Sequence, residues 1–323
     1  MKTLLPFFEN GRWGFVDDRM RMCIRPVYQN VREFYDGYAV FESNGYFGFI
    51  GVDGNVVLEP KFLDAEDCCG EKAVVEDALG YTVINMSGQQ VLPRHYSWLY
   101  SLDESYEMFA AQEQKGGKWK VVDLKGREIL PLGLDDVDGV DDYGWWRTSQ
   151  CGVHVFRNRY GVALRQYQYD RMSSFFHNMA VVCAGEMSGV IDRDENEILP
   201  IRYYHAALCN DKCITARFHE DGDFALFHCS DGEWGDLRFD YCVDAGYDGM
   251  LFVARDGIIS LYDHNEDCIL KNLGEELQGR YCDRYWRIWE NETNMYYLTI
   301  SEEGIFRLTR NGRRRMLNCD RKD

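Results

Sequence analysis

Residues 11–18 read GRWGFVDD and residues 45–51 read GYFGFIG, so a Gly, an aromatic residue, a second Gly and an apolar run return after 34 residues. The apolar pair inside this pattern recurs along the whole chain at intervals of 34 to 38 residues. The nine copies, of which the last is weak, begin at Phe15, Phe49, Val83, Val121, Val155, Val190, Leu226, Leu261 and Tyr297. Self-similarity at a fixed period of this length is the signature of a repeat architecture.

Proline follows the apolar pair at a nearly constant distance in most copies, which is independent support for the period. Proline ends a strand because it cannot donate a hydrogen bond to the ladder. The fifth copy has Arg165 at this place, and an Ala-containing run such as Tyr38-Ala39-Val40 follows in several copies. The prolines concerned are Pro26, Pro60, Pro93, Pro131 and Pro200.

An Asp or Asn closes the core strand in several copies, as at Asp17 and Asn85. Such a side chain can hydrogen-bond the backbone two residues on and start a turn. Three residues later, the left-handed position of a type I turn with a bulge favours glycine. The glycines at this position are Gly54, Gly88 and Gly126. Because Met20, Glu195 and Glu266 replace glycine in the first, sixth and eighth copies, we expect longer or looser hairpins there.

Each repeat therefore predicts a small antiparallel unit of about three short strands, and the whole chain an all-β fold of about nine stacked units. The run from Leu4 to Glu9 fits as the missing strand of the first unit, and Gly304 to Leu308 completes the ninth. No strand is then left to lock a ring, so we predict an open twisted array, with a closed β-propeller-like ring as the alternative. The units of this single array over residues 1–323 are placed at 4–36, 37–70, 71–106, 107–142, 143–176, 177–211, 212–248, 249–283 and 284–312, with a polar tail at 313–323.

The motif Gly-x-Trp-Gly-Phe-Val-Asp at residues 11–17, followed by Pro-x-Tyr and Gly-x-Ala-Val, resembles the WG (KWG) repeat family of bacterial tandem β-rich repeat proteins. Other copies carry Phe47-Gly48, Trp119-Lys120 or Ser188-Gly189 in place of Trp-Gly. The resemblance implies a repeat scaffold with an interaction role. It brings no catalytic motif and no cofactor.

Charge and composition limit the classes of partner. The net charge is −18, from 54 acidic and 36 basic side chains, so phosphate backbones and anionic lipid surfaces are repelled. We therefore expect no nucleic-acid partner and no membrane. The N-terminal apolar run stops at Glu9, too early for a signal peptide, and the 12 cysteines contain no Cys-x-x-Cys. We expect an acidic, soluble, cytoplasmic protein with reduced cysteines.

Two groups of side chains are weak candidates for metal ligands. The acidic run at residues 135–142 offers Asp136, Asp138 and Asp141 to Ca²⁺, although no bidentate Glu stands at the required offset, and a solvated acidic loop is the alternative. His205, Cys209 and Cys213 are four residues apart in turn, so a helix would place them on one face as Zn²⁺ ligands. A fourth ligand is not evident, and buried cysteines beside a surface histidine are the alternative.

Four tryptophans occur as two close pairs in the sequence, Trp145 with Trp146 and Trp286 with Trp289. Exposed, they would stack on sugar rings or anchor a protein partner, and buried they would fill the core. No nucleophile–base signature, phosphate loop or zinc-protease motif occurs, so we expect no enzymatic activity and no cofactor. The hypothesis is a non-enzymatic protein-interaction scaffold with an unknown protein partner. The alternative is a lectin-like or glycan-processing protein that uses exposed Trp and Asp side chains.

Overall fold

A computed structural model describes residues 3–103, 105, 107–141, 143–281, 285–291, 294–301, 304–308 and 314–317. All regular structure in these ranges is β-strand, which confirms the all-β prediction. None of it is a helix of the length and apolarity that a membrane crossing requires. The chain divides into two compact units, residues 1–168 (unit 1) and residues 169–323 (unit 2).

Within the described residues, unit 1 contains five antiparallel sheets whose strands follow one another in chain order. Sheet 1 contains β1 (Leu4–Glu9), β2 (Arg12–Asp17) and β3 (Met22–Tyr28); sheet 2 contains β4 (Asn30–Val31), β5 (Tyr38–Ser43), β6 (Tyr46–Gly51) and β7 (Val56–Phe62); sheet 3 contains β8 (Asp64–Ala65), β9 (Lys72–Asp77) and β10 (Gly80–Asn85); sheet 4 contains β11 (Trp98–Ser101), β12 (Met108–Gln112), β13 (Trp119–Asp123) and β14 (Glu128–Leu134); sheet 5 contains β15 (Asp136–Val140), β16 (Trp146–Gln150), β17 (Val153–Arg157) and β18 (Ala163–Gln168).

Unit 2 contains four more sheets of the same kind in its described part. Sheet 6 contains β19 (Arg171–Met172), β20 (Met179–Ala184), β21 (Met187–Asp192) and β22 (Glu197–Tyr203); sheet 7 contains β23 (His205–Leu208), β24 (Cys213–Arg217), β25 (Phe224–His228) and β26 (Trp234–Phe239); sheet 8 contains β27 (Tyr241–Asp244), β28 (Leu251–Arg255), β29 (Ile258–Tyr262) and β30 (Cys268–Gly274); sheet 9 contains β31 (Glu276–Tyr281), β32 (Tyr285–Asn291), β33 (Asn294–Ser301), β34 (Gly304–Leu308) and β35 (Arg314–Met316).

The predicted number of strands per unit is too low for most of these sheets. A short additional strand precedes the Ala-containing strand, and it begins directly after the aromatic residue of the Pro-x-Tyr motif. In sheet 2 this strand is only Asn30–Val31, and it pairs with Glu42 and Phe41 of the next strand. A strand of two residues has no periodicity that a sequence pattern can reveal. The prediction that Leu4–Glu9 supplies a strand of the first sheet is confirmed.

The prediction of an open array is wrong, and the β-propeller-like alternative fits the structure better. Its premise was that no strand follows Gly304–Leu308, but β35 pairs with that strand along residues 314–316. Six of the nine sheets in the described part are four-stranded antiparallel meanders in simple order, which is the construction of propeller blades. The three-strand unit on which the open array was based is therefore not the repeating element of the fold.

The hydrophobic core lies between successive sheets inside each unit. Between sheets 1 and 2, for example, Phe15, Phe41 and Ile50 are buried in one cluster. Between sheets 8 and 9, Phe252 and Leu298 lie in another. Complete burial of one such side chain contributes about 1.5–3 kcal/mol, so each sheet depends on its neighbours for most of its stability.

The turn that follows the core strand of the repeat is closed by an Asp or Asn side chain at or just after the end of that strand. Each of these residues accepts the backbone N–H two residues later, as predicted for Asp17, Asn85, Asp123, Asp192 and Asp263, and also the one four residues later. The residues are Asp17, Asn85, Asp123, Asn158, Asp192 and Asp263. A local side chain thus satisfies backbone donors that the tight turn leaves without a ladder partner.

The expectation of looser hairpins without glycine is wrong. Met20, Glu195 and Glu266 adopt φ values of 59°, 65° and 65°, in the same left-handed region as Gly54 at 81°. The N–H of Met20 donates to the carbonyl of Asp17 at 2.8 Å, as Gly54 does to Gly51 at 2.9 Å. The left-handed backbone costs a non-glycine residue about 1–2 kcal/mol. In the three hairpins, the Asp hydrogen bonds offset this cost.

The glycine and the proline of the repeat motif meet each other across the third and fourth strands. In sheet 2, Phe47 pairs with Phe62 and Phe49 with Leu58, so Gly48 alone stands opposite three residues that include Pro60. A Cβ atom on Gly48 would lie 2.6 Å from the carbonyl oxygen of Leu58. In sheet 2 the bulge brings the two backbones so close together that a side chain at Gly48 would clash with the facing strand. The same close approach is found at Gly14 and Gly189.

Sheet 5, which lacks the proline, agrees with this explanation. Its repeat has Arg165 in place of proline, and its strands pair without a break from Val153–Gln168 to Phe156–Arg165. His154, which pairs with Tyr167, occupies the place of the close-packed glycine. In this sheet, which lacks the proline, the strands pair without this bulge and the large side chain of His154 is accepted.

Candidate functional site

Two grooves lie at the end of the sheets that carries the turns between strands 1 and 2 and between strands 3 and 4. The first, between sheets 4 and 5 in unit 1, has a volume of about 490 Å³ and is called the Tyr160 groove. The second, between sheets 7 and 8 in unit 2, has a volume of about 560 Å³ and is called the His228 groove. Each falls in the volume range of small-molecule or peptide-anchoring clefts.

The Tyr160 groove has an apolar floor and a rim of arginine and tyrosine. Its lining includes Met108, Ile129 and Val140. At the rim, the side chain of Tyr160 is 75% exposed, and the guanidinium of Arg159 lies 5.6 Å from its ring centroid. Tyr160 is exposed because the Asx turn of Asn158, whose side chain accepts its N–H at 3.0 Å, turns the chain outward here. A large amphipathic ring is thus displayed beside cations and apolar surface.

Ion pairs fix the remaining polar groups of this groove. The Nε of Arg127 donates to Asp123 at 2.7 Å, and Arg159 lies 3.9 Å from the carboxylate of Glu107. Burial acts to raise the pKa of Asp123, but the hydrogen bonds from Arg127 and Lys125 outweigh it, so this pKa lies below its ordinary value. Asp123 is therefore a permanent anion that holds Arg127 in place.

Cys213 and His228 line the His228 groove, and Glu266 lies behind the histidine ring. Nδ1 of His228 lies 3.8 Å from the Sγ of Cys213, and its Nε2 lies 3.7 Å from a carboxylate oxygen of Glu266. This is the order of a nucleophile, a base and an orienting carboxylate. The Cys213 side chain is fully buried, however, and burial raises its pKa to about 12. The group is a protonated, inaccessible thiol and does not make a nucleophile.

The aspartates predicted as Ca²⁺ ligands are engaged within sheet 5 itself. Asp136 and Asp138 of β15 both accept hydrogen bonds from Nη2 of Arg147, at 2.7 Å and 3.4 Å. Asp141 accepts the backbone N–H groups of Tyr143 and Trp145, each at 2.9 Å. In the part of the chain that the structure describes, no three His, Cys, Asp or Glu side chains are grouped as metal ligands.

We predict that changing Asp136 and Asp138 together to asparagine lowers the free energy of unfolding by about 2 kcal/mol, because the buried guanidinium of Arg147 loses its charged partners. Chemical denaturation of the double variant measures this loss. Asp256→Asn, at a side chain that is 91% exposed, is the control and should change stability little. Removal of a repulsive Ca²⁺ cluster would instead stabilise the metal-free protein, and that result would contradict the assignment.

The three residues predicted as Zn²⁺ ligands lie on a hairpin and not on a helix. His205 is exposed at the start of β23, whereas Cys213 is buried at the start of β24. Burial and the charge of Arg217 lower the pKa of His205. The Sγ of Cys209 contacts Cys242 of sheet 8 at 3.0 Å. The structure thus directs the three side chains to three different surroundings.

Three of the four singled-out tryptophans are buried. Trp146 is 0% exposed and donates its Nε1–H to the carbonyl of Asn158 at 2.6 Å. Trp286 is 6% exposed and donates to the carbonyl of Ala245 at 3.1 Å. Trp289 is 9% exposed, and Trp145 is half-buried. These rings occupy the sheet interior or its margin, while the exposed aromatic of the grooves, Tyr160, was not singled out from the sequence.

Comparison with known sequences gives one family match. Residues 13–47 match the model of the WG containing repeat, which confirms the resemblance noted from the motif. This match begins at Trp13 and ends at Phe47, one repeat period later. No curated protein matches the sequence.

Solved structures resemble this chain at low sequence identity. A crystal structure of a eukaryotic initiation factor has a TM-score of 0.64 and 9% identity, over 99% of this chain and 96% of that chain. Dihydro-heme d1 dehydrogenase NirN in complex with DHE has a TM-score of 0.50 and 12% identity, over 84% of this chain and 74% of that chain. BamB from Moraxella catarrhalis has a TM-score of 0.40 and 13% identity, over 95% of this chain and 94% of that chain. The first two similarities describe the fold alone.

Proposed function

We propose that this protein is a non-enzymatic interaction scaffold, built from WG-type repeats, that binds a basic segment of a protein partner in the Tyr160 groove. The observation that carries the proposal is the exposed ring of Tyr160 beside Arg127 and Arg159, above an apolar floor. Tyrosine and arginine are the residues that most often dominate binding energy at protein interfaces. An apolar anchor from the partner fits the floor formed by Met108 and Ile129.

The charge of the chain supports a basic partner. With a net charge of −18, the protein attracts cationic segments over long range and repels anionic ones. Beside the ion pairs of the Tyr160 groove, Asp103 lines this groove and offers a carboxylate to lysine or arginine of the partner. We propose a cytoplasmic setting, which the many cysteines outside disulfide bonds support.

The glycan-binding alternative has weaker support. Sugar rings stack on exposed aromatic faces, but Trp146, Trp286 and Trp289 are buried. An enzymatic role has weak support too, because the Cys213–His228–Glu266 group has a buried thiol of raised pKa.

We predict that Tyr160→Ala weakens binding of the partner at least tenfold, the loss expected for an interface residue that dominates the binding energy. Affinity capture from a native lysate identifies the partner, and calorimetry on the purified pair measures the dissociation constant. Tyr46→Ala is the matched control, because Tyr46 is also exposed but begins β6 at the turn between strands 2 and 3, the other end of its sheet. It should leave the affinity unchanged.

Three outcomes would count against the proposal. Equal affinities of the Tyr160→Ala and Tyr46→Ala variants would place the binding surface elsewhere. A partner whose binding strengthens with added salt would exclude a basic segment, since screening weakens attraction between opposite charges. Saturable binding to a glycan array, lost with Tyr160→Ala, would favour the lectin-like alternative.

A further inference from the structure

Two half-buried cysteines of unit 2 face each other across sheets 7 and 8. Cys209 directly follows β23, and Cys242 is the second residue of β27. Their Sγ atoms lie 3.0 Å apart, and both are free thiols. They are 33 residues apart in the chain, and the residue that follows the first strand of sheet 7 thus lies against the first strand of sheet 8.

The approach of the two segments is held by further contacts beside the sulfur atoms. The buried Asn210 lies 3.4 Å, through Nδ2, from the carboxylate of Asp244. Nζ of Lys212 lies 2.9 Å from the carboxylate of Asp248 and 3.3 Å from its carbonyl oxygen. The side chain of Asn210 also accepts the backbone N–H groups of Lys212 and Cys213. The fold therefore positions the thiol pair through three neighbouring links and does not depend on the sulfur contact.

We propose that Cys209 and Cys242 are a redox-active dithiol, a modification site that a peroxide converts to a disulfide joining sheets 7 and 8. In the first step a thiolate attacks one peroxide oxygen, an S–O bond forms, the O–O bond breaks, and hydroxide leaves and takes up a proton. In the second step the other sulfur attacks the sulfenic acid, the S–S bond forms and the S–O bond breaks. The two thiols lose two electrons and two protons, and hydrogen peroxide is reduced to two molecules of water.

The two other cysteines near this pair are poor competitors for it. Burial raises the pKa of Cys213 to about 12 and that of Cys229 to about 11, so both remain thiols at neutral pH. The hydrogen bond with Cys209 and burial also raise the pKa of Cys242, which suits it to remain reduced until its partner is oxidised. The disulfide would fix the start of the turn that leads to Asp211, Lys212 and Cys213, which line the His228 groove.

Peptide mapping of the full chain tests the proposal. The protein is treated with hydrogen peroxide, alkylated, digested without reduction and analysed by mass spectrometry. We expect a cross-linked peptide pair containing Cys209 and Cys242, lighter by two hydrogens, which dithiothreitol separates. Cys209→Ser and Cys242→Ser should each abolish it, and Cys183→Ser, at a half-buried thiol of β20 in sheet 6, should retain it.

The peptide map of the wild-type protein tests the proposed disulfide even if a variant folds poorly. A cross-link from Cys209 to Cys213 or Cys229, or a stable sulfinic acid on Cys209, would overturn the assignment of the pair. So would continued alkylation of both Cys209 and Cys242 after the exposed Cys151 has been fully oxidised.

Discussion

Replacing Trp146 by alanine is expected to lower the free energy of unfolding by about 3–5 kcal/mol, the cost of removing a large aromatic side chain from a close-packed core. The indole is fully buried between sheets 4 and 5, in one cluster with Val121, Leu134 and Val137. Its Nε1–H donates to the carbonyl of Asn158, so the variant also leaves that acceptor without its partner. The cavity would lie directly beneath the turn that presents Tyr160.

Scanning calorimetry measures this loss without relying on tryptophan fluorescence, which the substitution itself changes. Trp98→Ala is the matched control, because Trp98 is 40% exposed and should lose much less stability. Equal losses of stability in the two variants would mean that burial does not determine how much Trp146 contributes to stability. An unchanged transition in Trp146→Ala would show that this ring is accessible, and the aromatic-platform interpretation of Trp145 and Trp146 would regain support.

Most of the fold could be predicted because its repeat is defined by local chemistry. The turns could be predicted because the Asx side chain acts on backbone two to four residues away, as Asp123 does with Lys125 and Arg127. The short strand before the Ala-containing strand could not, because Asn30–Val31 owes its conformation to pairing with Phe41 and Glu42 and not to its own pattern. That missing strand led directly to the wrong preference for an open array.

The candidate site was much less predictable than the fold. The spacing of Cys209 and Cys213 indicated one face of a helix, but a turn separates them and sends one sulfur to Cys242 and the other to His228. Both partners come from other strands, and single-sequence spacing does not identify such neighbours. Tyr160 was missed for a similar reason. Its exposure follows from the geometry of the turn at Asn158, and not from the identity of the residue.

The bulge explains the glycine of the Trp-Gly dipeptide in the first repeat. Trp13 pairs with Tyr28 and Phe15 with Ile24, so Gly14 faces three residues that include Pro26. Cβ on Gly14 would lie 2.4 Å from the carbonyl oxygen of Ile24 and 2.6 Å from the nitrogen of Pro26. Glycine and proline thus have complementary roles at this bulge. Proline lacks the N–H that would bond to the ladder, and glycine leaves room for the displaced backbone.

The role of glycine at the bulge is tested most directly at Gly48. Gly48→Ala is expected to lower the free energy of unfolding by about 3 kcal/mol. A new Cβ would lie 2.6 Å from the carbonyl oxygen of Leu58 and 2.9 Å from the nitrogen of Pro60. Both are backbone atoms, so relief requires the fourth strand to move away and its hydrogen bonds to lengthen.

Gly45→Ala is the control within the same sheet, because Gly45 has a φ of +77° but nothing within 4 Å of its Cβ position. Alanine there meets only left-handed backbone strain, about 1 kcal/mol. Urea denaturation of both variants separates close approach from backbone strain. If Gly45→Ala caused the larger loss of stability, the turn glycine would be the more important of the two. The assignment of Gly48 as the residue that makes room for the facing strand at Pro60 would then be wrong. A larger loss at Gly48 would show that the close approach of the facing backbone, and not the left-handed conformation of the turn glycine, is the main reason for glycine at this place in sheets 1, 2 and 6.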